Sequence, residues 1–423
     1  MAIEEIIGKV EKGVVPTVTK VAVAYSGGLD SSLGIELLRR KYKAKEIVPI
    51  TIDIGQGEEE LAQSRRHASA LHIKPLTIDV REQFGRDWVA IAIKANADYG
   101  GYPVSTSMTR QLVARTVAEK AVEVGCDAIL EGSSGKGNDQ YRMQNVFTLF
   151  APGLKVLVPV RDFDLTRLEE EQLCRAWGVP VTETITGGDD KTMWCRSIAS
   201  GAIDLNQPLP EDIWMWLVPP EKAKDKPTEV ELEFAEGVPA RFNGKAVTIP
   251  ELLEALNRAA GEAGVGRIDM FEDGIMDLKS REVYEAPAAK VILMLHRDLE
   301  QMTLTKDQLQ FKKAIDQKWA YMMYHGEAYQ PLRYDLEAFI NQSQKMVSGT
   351  YRVKLYKGNI EILERQSASS LFMPEIRSIK ASGFDQRRCA DAAFVRALPF
   401  LVLAKRAGNV ARQGKQPRQK KQK

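Results

Sequence analysis

The chain has 423 residues, 44% of them hydrophobic and 27% charged, which is ample for a buried core and suggests two or three domains. No apolar run approaches the roughly 20 residues needed to span a bilayer. Glu4 and Glu5 stand where a secretory leader would be basic. Four cysteines without a Cys-x-x-Cys pair, and only four histidines, point away from a zinc site or a disulfide framework and toward a reducing cytoplasm.

The net charge of +2 hides an asymmetry. Residues 405–423 carry eight Lys or Arg and no acid, and the remainder has 51 basic and 57 acidic residues. A basic run of this kind reads as a solvated, disordered tail. A nucleic-acid arm is the alternative, and nothing else in the chain supports it.

In chain order, residues 1–19 read as a short amphipathic extension. Val21–Tyr25 is an apolar strand ending at Ser26-Gly27-Gly28, and a helix follows through Leu33 and Leu37. Ile47–Ile54, Pro75–Val80, Ala128–Leu130 and Val156–Val160 read as further strands. Helical periodicity covers about 85–97 and 108–124. Thr166 and Glu169 form a capping box that opens a helix ending at Gly178. Alternating helices and nearly all-apolar strands predict a doubly wound parallel sheet covered on both faces. After about 180 the pattern becomes α+β: a half-buried strand at Glu229–Phe234, a capped helix from Thr248 to Gly261, a turn at Glu272-Asp273-Gly274, helices over 287–302 and 304–325, and a hairpin around Lys357-Gly358-Asn359. The expected division is 1–19, 20–180, 181–378 and 379–423.

The segment Tyr25-Ser26-Gly27-Gly28-Leu29-Asp30-Ser31-Ser32 joins a buried strand to a helix start. Its glycines allow close backbone approach, and its free N–H groups and hydroxyls make a phosphate cradle. Asp30 adds a carboxylate that could hold Mg²⁺ or order the loop. The lysine of a Gly-x-x-x-x-Gly-Lys-Ser/Thr loop is missing, which suggests attack at the α-phosphate with pyrophosphate as leaving group. The segment resembles the PP-loop of the ATP-pyrophosphatase group.

Within that group, Tyr102-Pro-Val-Ser-Thr-Ser-Met-Thr-Arg110 and Gly132-Ser-Ser-Gly-Lys-Gly-Asn-Asp-Gln140 with Arg142 resemble motifs of the argininosuccinate synthase family. So do Gly264–Asp269, Glu272, Lys279-Ser-Arg281, Tyr284-Glu285 and Gly349–Gly358. The resemblance implies an AMP-forming ligase that adenylates citrulline with ATP and couples it to aspartate. It implies ATP and Mg²⁺ as cofactors, small-molecule substrates and a homotetramer joined by a C-terminal helix; a membrane partner is not expected from the sequence, and a nucleic-acid partner is the less favoured reading. By resemblance, Ala24, Tyr25, Ser26, Gly27, Gly28, Leu29, Asp30, Ser31, Ser32, Ile52 and Gly132 hold ATP. Thr106, Arg110, Ser134, Asn138 and Asp139 form the aspartate site. Tyr102, Ser107, Asn138, Arg142, Gly188, Ser197, Glu272 and Tyr284 surround the acceptor. Asp30, Ser31 and Arg142 are the residues expected to carry catalysis, through positioning and charge rather than a covalent nucleophile. The aromatic run Trp319, Tyr321–Tyr324 is expected in the core or at a subunit interface.

The chain departs from the family's pattern near the acceptor. Gly188 replaces a substrate-binding serine, Lys191 a glutamate, Gln144 an acid and Ser105 a glycine. An acid replaced by lysine favours a more anionic ligand. A paralogue that adenylates another carbonyl or ureido acceptor is therefore the alternative, with a PP-loop tRNA-modifying enzyme a distant third. Cys195, in the same segment, reads as a packing residue.

Overall fold

A computed structural model of the chain describes residues 2–180, 189–198 and 206–413. The N-terminal extension forms helix α1 (Ile3–Lys12), β1 (Lys20–Ala24) and α2 (Leu29–Leu37) come next, and then β2 (Glu46–Asp53), α3 (Glu58–Ala70) and β3 (Leu76–Asp79). Short helices α4 (Arg81–Phe84) and α5 (Ala90–Lys94) flank one wider turn at Gly85–Val89, so the predicted helix over 85–97 is broken in pitch. Next are α6 (Ser105–Glu123), β4 (Ala128–Leu130), α7 (Asp139–Phe150), β5 (Lys155–Leu157), α8 (Pro159–Asp162) and α9 (Arg167–Trp177). The strand expected over Val156–Val160 stops at Leu157. Proline lacks an N–H and has a fixed φ, so Pro159 opens a helix instead.

β1 to β5 form one parallel sheet in the order β3-β2-β1-β4-β5. The order reverses between β1 and β4, and ligands of such sheets bind at the carboxyl ends of the strands that flank the reversal. The two glycine-rich segments, Ser26–Gly28 and Gly132–Gly137, follow those two strands. β1 is buried on both faces (Val21, Ala22 and Val23 are inaccessible), as a sandwiched parallel strand must be. α9 has the predicted capping box and a left-handed Gly178 cap. α1 lays Ile6 and Val10 into the same core as β1 and α9, and Lys9 pairs with Glu169.

Two antiparallel sheets follow. β6 (Asp189–Lys191) and β7 (Arg196–Ile198) are joined later by β11 (Arg267–Asp273) and β12 (Lys279–Glu285) in the order β11-β12-β7-β6. The turn between β11 and β12 is Gly274–Leu278, so Glu272 and Asp273, expected in the turn, lie on the strand. The other sheet contains β8 (Thr228–Ala235), β9 (Val238–Phe242) and β10 (Lys245–Ala246), with β13 (Gly349–Tyr356) and β14 (Asn359–Gln366). β8 alternates buried and exposed residues as predicted. Lys357 and Gly358, both at positive φ, make the two-residue turn between β13 and β14. The helices here are α10 (Ile249–Glu262), α11 (Pro287–Thr303), α12 (Lys306–Tyr324) and α13 (Pro331–Gln344).

Residues up to 370 form one compact unit and those from 371 a second. The second holds α14 (Pro374–Arg377) and α15 (Cys389–Gln413), on which Phe394, Phe400 and Val402 are exposed. Among the described residues no helix is long and apolar enough to cross a membrane.

Candidate active site

The loop after β1 is built for a close-fitting ligand. Gly27 has φ +80°, and a Cβ there would lie 2.5 Å from the Cα of Ser64, so no side chain is tolerated. Gly28 precedes the first turn of α2, and Ser26 Oγ accepts from its N–H (3.2 Å). Ser31 Oγ donates to Gly28 O and lies 3.2 Å from Ser26 Oγ. Arg167, first residue of α9, donates to Asp30 Oδ1 at 2.5 Å. Beside Asp30, burial and then the Asp30 charge push Glu170 up to about 9, so Glu170 keeps its proton at neutral pH. Leu29, Tyr25 and Ile52 are buried beneath the loop. The loop after β4 meets this cradle directly: a Cβ on Gly132 would lie 3.0 Å from Asp30 Cβ and 3.2 Å from Ser31 N.

From that second loop the chain enters α7, which carries an alternating lattice of charge. Asp139 accepts from Arg110 Nε and from Arg142 Nη1, each at 2.8 Å. Arg110 also binds Asp190 of β6 (2.6 Å to Oδ1). Burial opposes the Asp139 charge, but the two guanidinium groups outweigh it and hold its carboxyl below the usual range. Arg142 donates Nε–H to Tyr324 O at 2.9 Å. Nη2 and one N–H of Nη1 remain for a ligand.

Glu272 of β11 and Tyr284 of β12 form a further wall. Tyr284 donates to Glu272 Oε1 at 2.7 Å, and its ring stacks on Tyr102 at 4.3 Å. Burial raises the Glu272 carboxyl, partly offset by its bonds from Tyr284 and Tyr324. Tyr102 is buried, and its hydroxyl accepts from Thr106 N at 2.6 Å, capping the first turn of α6. Ser107 Oγ is buried without a protein partner. Ser197 pairs with Tyr284 across β7 and β12. The wall is anchored by buried Glu285, which binds Arg196 and accepts from the N–H groups of Met215, Trp216 and Leu217.

Arg110, Asp139, Arg142, Asn138, Glu272, Tyr284 and Tyr102 are thus linked by contacts that pass through Tyr324, and Asp30, Ser31 and Gly132 meet at the cradle, joined to them by the chain from Gly132 into α7. Ser134 is exposed on its loop. Gly188 lies outside the described residues. Three participants lack any local sequence signal: Arg167 reaches Asp30 from 137 positions away, Asp190 meets Arg110 from 80 away, and Tyr324 meets Asn138 from 186 away.

Residues 20–180 match the family model described as the Arginosuccinate synthase N-terminal HUP domain, and 188–402 match the Arginosuccinate synthase C-terminal domain. The chain belongs to the argininosuccinate synthase family. The argininosuccinate synthase of Methanopyrus kandleri is 42% identical over 396 residues, covering 92% of this chain and 100% of its own. That of Methanocaldococcus jannaschii is 42% identical over 375 residues (88% and 94%). That of Archaeoglobus fulgidus is 41% identical over 371 residues (87% and 94%).

Against the synthase pattern, the departures of this chain are met by partners. Lys191 donates to Glu60 Oε1 of α3 at 2.6 Å, so its charge is paired. Ser105 Oγ lies 2.7 Å from Thr192 Oγ1, joining two altered segments. Gln144 turns along α7 to Thr148. Cys195 is buried, and burial followed by the nearby Glu285 charge pushes its thiol well up; it is a packing residue. Of the aromatic run, Trp319 and Met322–Tyr324 are buried, but Tyr321 is exposed and the Tyr324 hydroxyl reaches the cleft.

Proposed function

We propose that this chain condenses citrulline with aspartate at the expense of ATP, giving argininosuccinate, AMP and pyrophosphate. The observation that carries the reading is the phosphate cradle at the sheet reversal, joined by the Gly132–Gly137 loop to the contacts that run from Asp139 and Arg142 through Tyr324 to Glu272 and Tyr284. The two glycine-rich loops at the sheet reversal support an ATP site, with backbone N–H groups and Ser26 and Ser31 hydroxyls toward the leaving pyrophosphate. The alternating acids and arginines suit two zwitterionic substrates, whose carboxylates and ammonium groups need partners of both signs. The open edge of the Arg142 guanidinium fits one carboxylate; Glu272, flanked by two tyrosine hydroxyls, fits an ammonium or the ureido N–H groups. Attack by the ureido oxygen on the α-phosphate and displacement of AMP by the aspartate amine both need alignment more than a covalent nucleophile.

Mg²⁺ would be held by Asp30, displacing the Glu170 hydrogen bond to its carboxylate; one carboxylate with phosphate oxygens and water is an ordinary Mg²⁺ set. Bound there, it would neutralise charge on the pyrophosphate. A different acceptor is less well supported, because the Lys191 charge is taken by Glu60 and Gln144 points along its helix. The exposed Phe394, Phe400 and Val402 of α15 favour a homotetramer joined through that helix, and the substrates favour the cytoplasm.

The test is AMP and pyrophosphate formation from Mg-ATP with citrulline and aspartate, each omitted in turn. Argininosuccinate appearing only with both supports the proposal. Pyrophosphate release with another acceptor but not citrulline would replace it. Light scattering of the purified chain tests the tetramer; a monomer would refute it.

A further inference from the structure

We infer that Tyr324, at the end of α12, is a positioning residue that couples the two amino-acid subsites by holding Asn138 and Glu272 from one hydroxyl. The inference rests on the ligase reading for the identity of the substrates, and on geometry alone for the coupling.

Tyr324 is inaccessible to solvent, and its hydroxyl, its carbonyl and its ring all have partners. Its hydroxyl accepts from Asn138 Nδ2 at 3.0 Å. Its proton lies within reach of Glu272 Oε2 (2.8 Å) and of Asp273 O (2.6 Å). Its backbone carbonyl accepts from Arg142 Nε, and the Arg142 guanidinium sits 4.9 Å from the ring centroid. The other face stacks on Tyr99, with centroids 4.0 Å apart and planes 5° from parallel. The ring is therefore clamped between Tyr99 and Arg142, and the hydroxyl has one place to be.

The consequence is directional. Asn138 spends its carbonyl on Ile275 N (2.8 Å) and its amide on Tyr324. Asn138 stands at the start of α7 beside Asp139, among the residues assigned to aspartate and to the acceptor alike, and Glu272 stands on the acceptor wall. A buried phenol that accepts from Asn138 and shares its proton between Glu272 and the neighbouring Asp273 carbonyl fixes both orientations at once, and hydrogen bonds in such a chain polarise one another. Glu272 is held from two sides, by Tyr284 on Oε1 and Tyr324 on Oε2, so loss of either donor leaves a buried carboxylate half-satisfied.

The experiment is Tyr324→Phe in the full chain, which keeps the clamped ring and removes only the hydroxyl. The expected result is a rise of roughly tenfold or more in KM for both citrulline and aspartate, the cost of one hydrogen bond to a charged group. KM for ATP should stay within about twofold. The acid limb of the kcat/KM profile for citrulline should move to higher pH, because Glu272 loses a donor that favours its charged form. In the substrate-free protein, amide exchange at Ile275 should accelerate by roughly tenfold as Asn138 is released. Unchanged KM values with an unmoved acid limb would overturn the inference, and so would unchanged exchange at Ile275. Equal losses for ATP and both amino acids would also overturn it, since they would mean general loosening. Wild-type protein inactive on citrulline would defeat the ligase reading alone; exchange at Ile275 would still decide the coupling.

Discussion

Replacing Arg142 by lysine keeps a positive charge in the cleft and removes the fork that shapes it. In the structure the guanidinium makes two protein bonds in different directions, to Asp139 Oδ1 at 2.8 Å and to Tyr324 O at 2.9 Å, and lies over the Tyr324 ring. A lysine ammonium is a point donor on a flexible stem and cannot hold both bonds and the ring contact together. Each lost bond from a charged donor costs about 1.5–3 kcal/mol, and the retained ammonium recovers part of one. A net loss of about 2–4 kcal/mol is roughly 30- to 1,000-fold in kcat/KM. The assay is steady-state kcat/KM for citrulline at saturating ATP and aspartate, with circular dichroism and a thermal midpoint to verify folding. Because Asp139 keeps Arg110, the fold should survive. A folded Arg142→Lys enzyme within about threefold of wild type would refute the reasoning and remove Arg142 from the acceptor site.

Asp30→Ala should lower pyrophosphate release roughly a hundredfold or more, the scale of losing one preorganised charge contact, and barely change the thermal midpoint, because the Asp30–Arg167 pair is partly exposed; retained turnover would displace Asp30 from the ATP site. Glu131, buried at the end of β4, loses its proton at about 7 where an ordinary glutamate does so near 4.5, chiefly through burial. The folded state therefore holds a proton that the unfolded chain gives up, and stability falls as pH rises through that window. Glu131→Gln should thus stabilise the substrate-free protein at pH 8 by up to about 3 kcal/mol, with the gain gone by pH 4.5. A pH-independent shift in the denaturation midpoint would contradict this. Deleting residues 2–13 should destabilise the N-terminal core by several kcal/mol, about 1.5–3 for each of Ile6 and Val10; an unchanged unfolding midpoint would show that α1 carries no stabilising contact.

The parts of this molecule legible in its sequence are those with a short physical period or a local backbone demand. The buried strand β1, the capped helix α9, the alternation of β8 and the glycine loops each follow from neighbours a few residues apart. Val156–Val160 reads as a strand because its four other apolar residues outweigh the one proline that fixes φ. The turn between β11 and β12 was placed two residues early because Asp-Gly is a strong turn signal even where the strand continues to Asp273. α13 lay unread between two clearer elements. In the cleft, Asp139 and Arg142 were legible through their motif, but that Asp139 is shared by two arginines was not. Partners such as Asp190 and Tyr324 arrive from remote segments, and no periodicity encodes a contact across 80 or 182 residues.

The same cleft shows why its charges alternate. Asp190, Arg110, Asp139 and Arg142 follow one another in contact with alternating sign, and Tyr324 joins Arg142 to Glu272. Burying any one alone would cost several kcal/mol. As a lattice, three acids share two arginines, so most of the charge is compensated before a substrate arrives. A zwitterion adds equal and opposite charges, so it can exchange partners with the lattice without changing the net charge that is buried. An acceptor with an extra negative charge would instead need a free cation, and the two nearest candidates are committed: Lys191 to Glu60 and Arg110 to two aspartates. Thus the charge reversal at 191, which on sequence alone favours an anionic acceptor, is neutralised in three dimensions by Glu60.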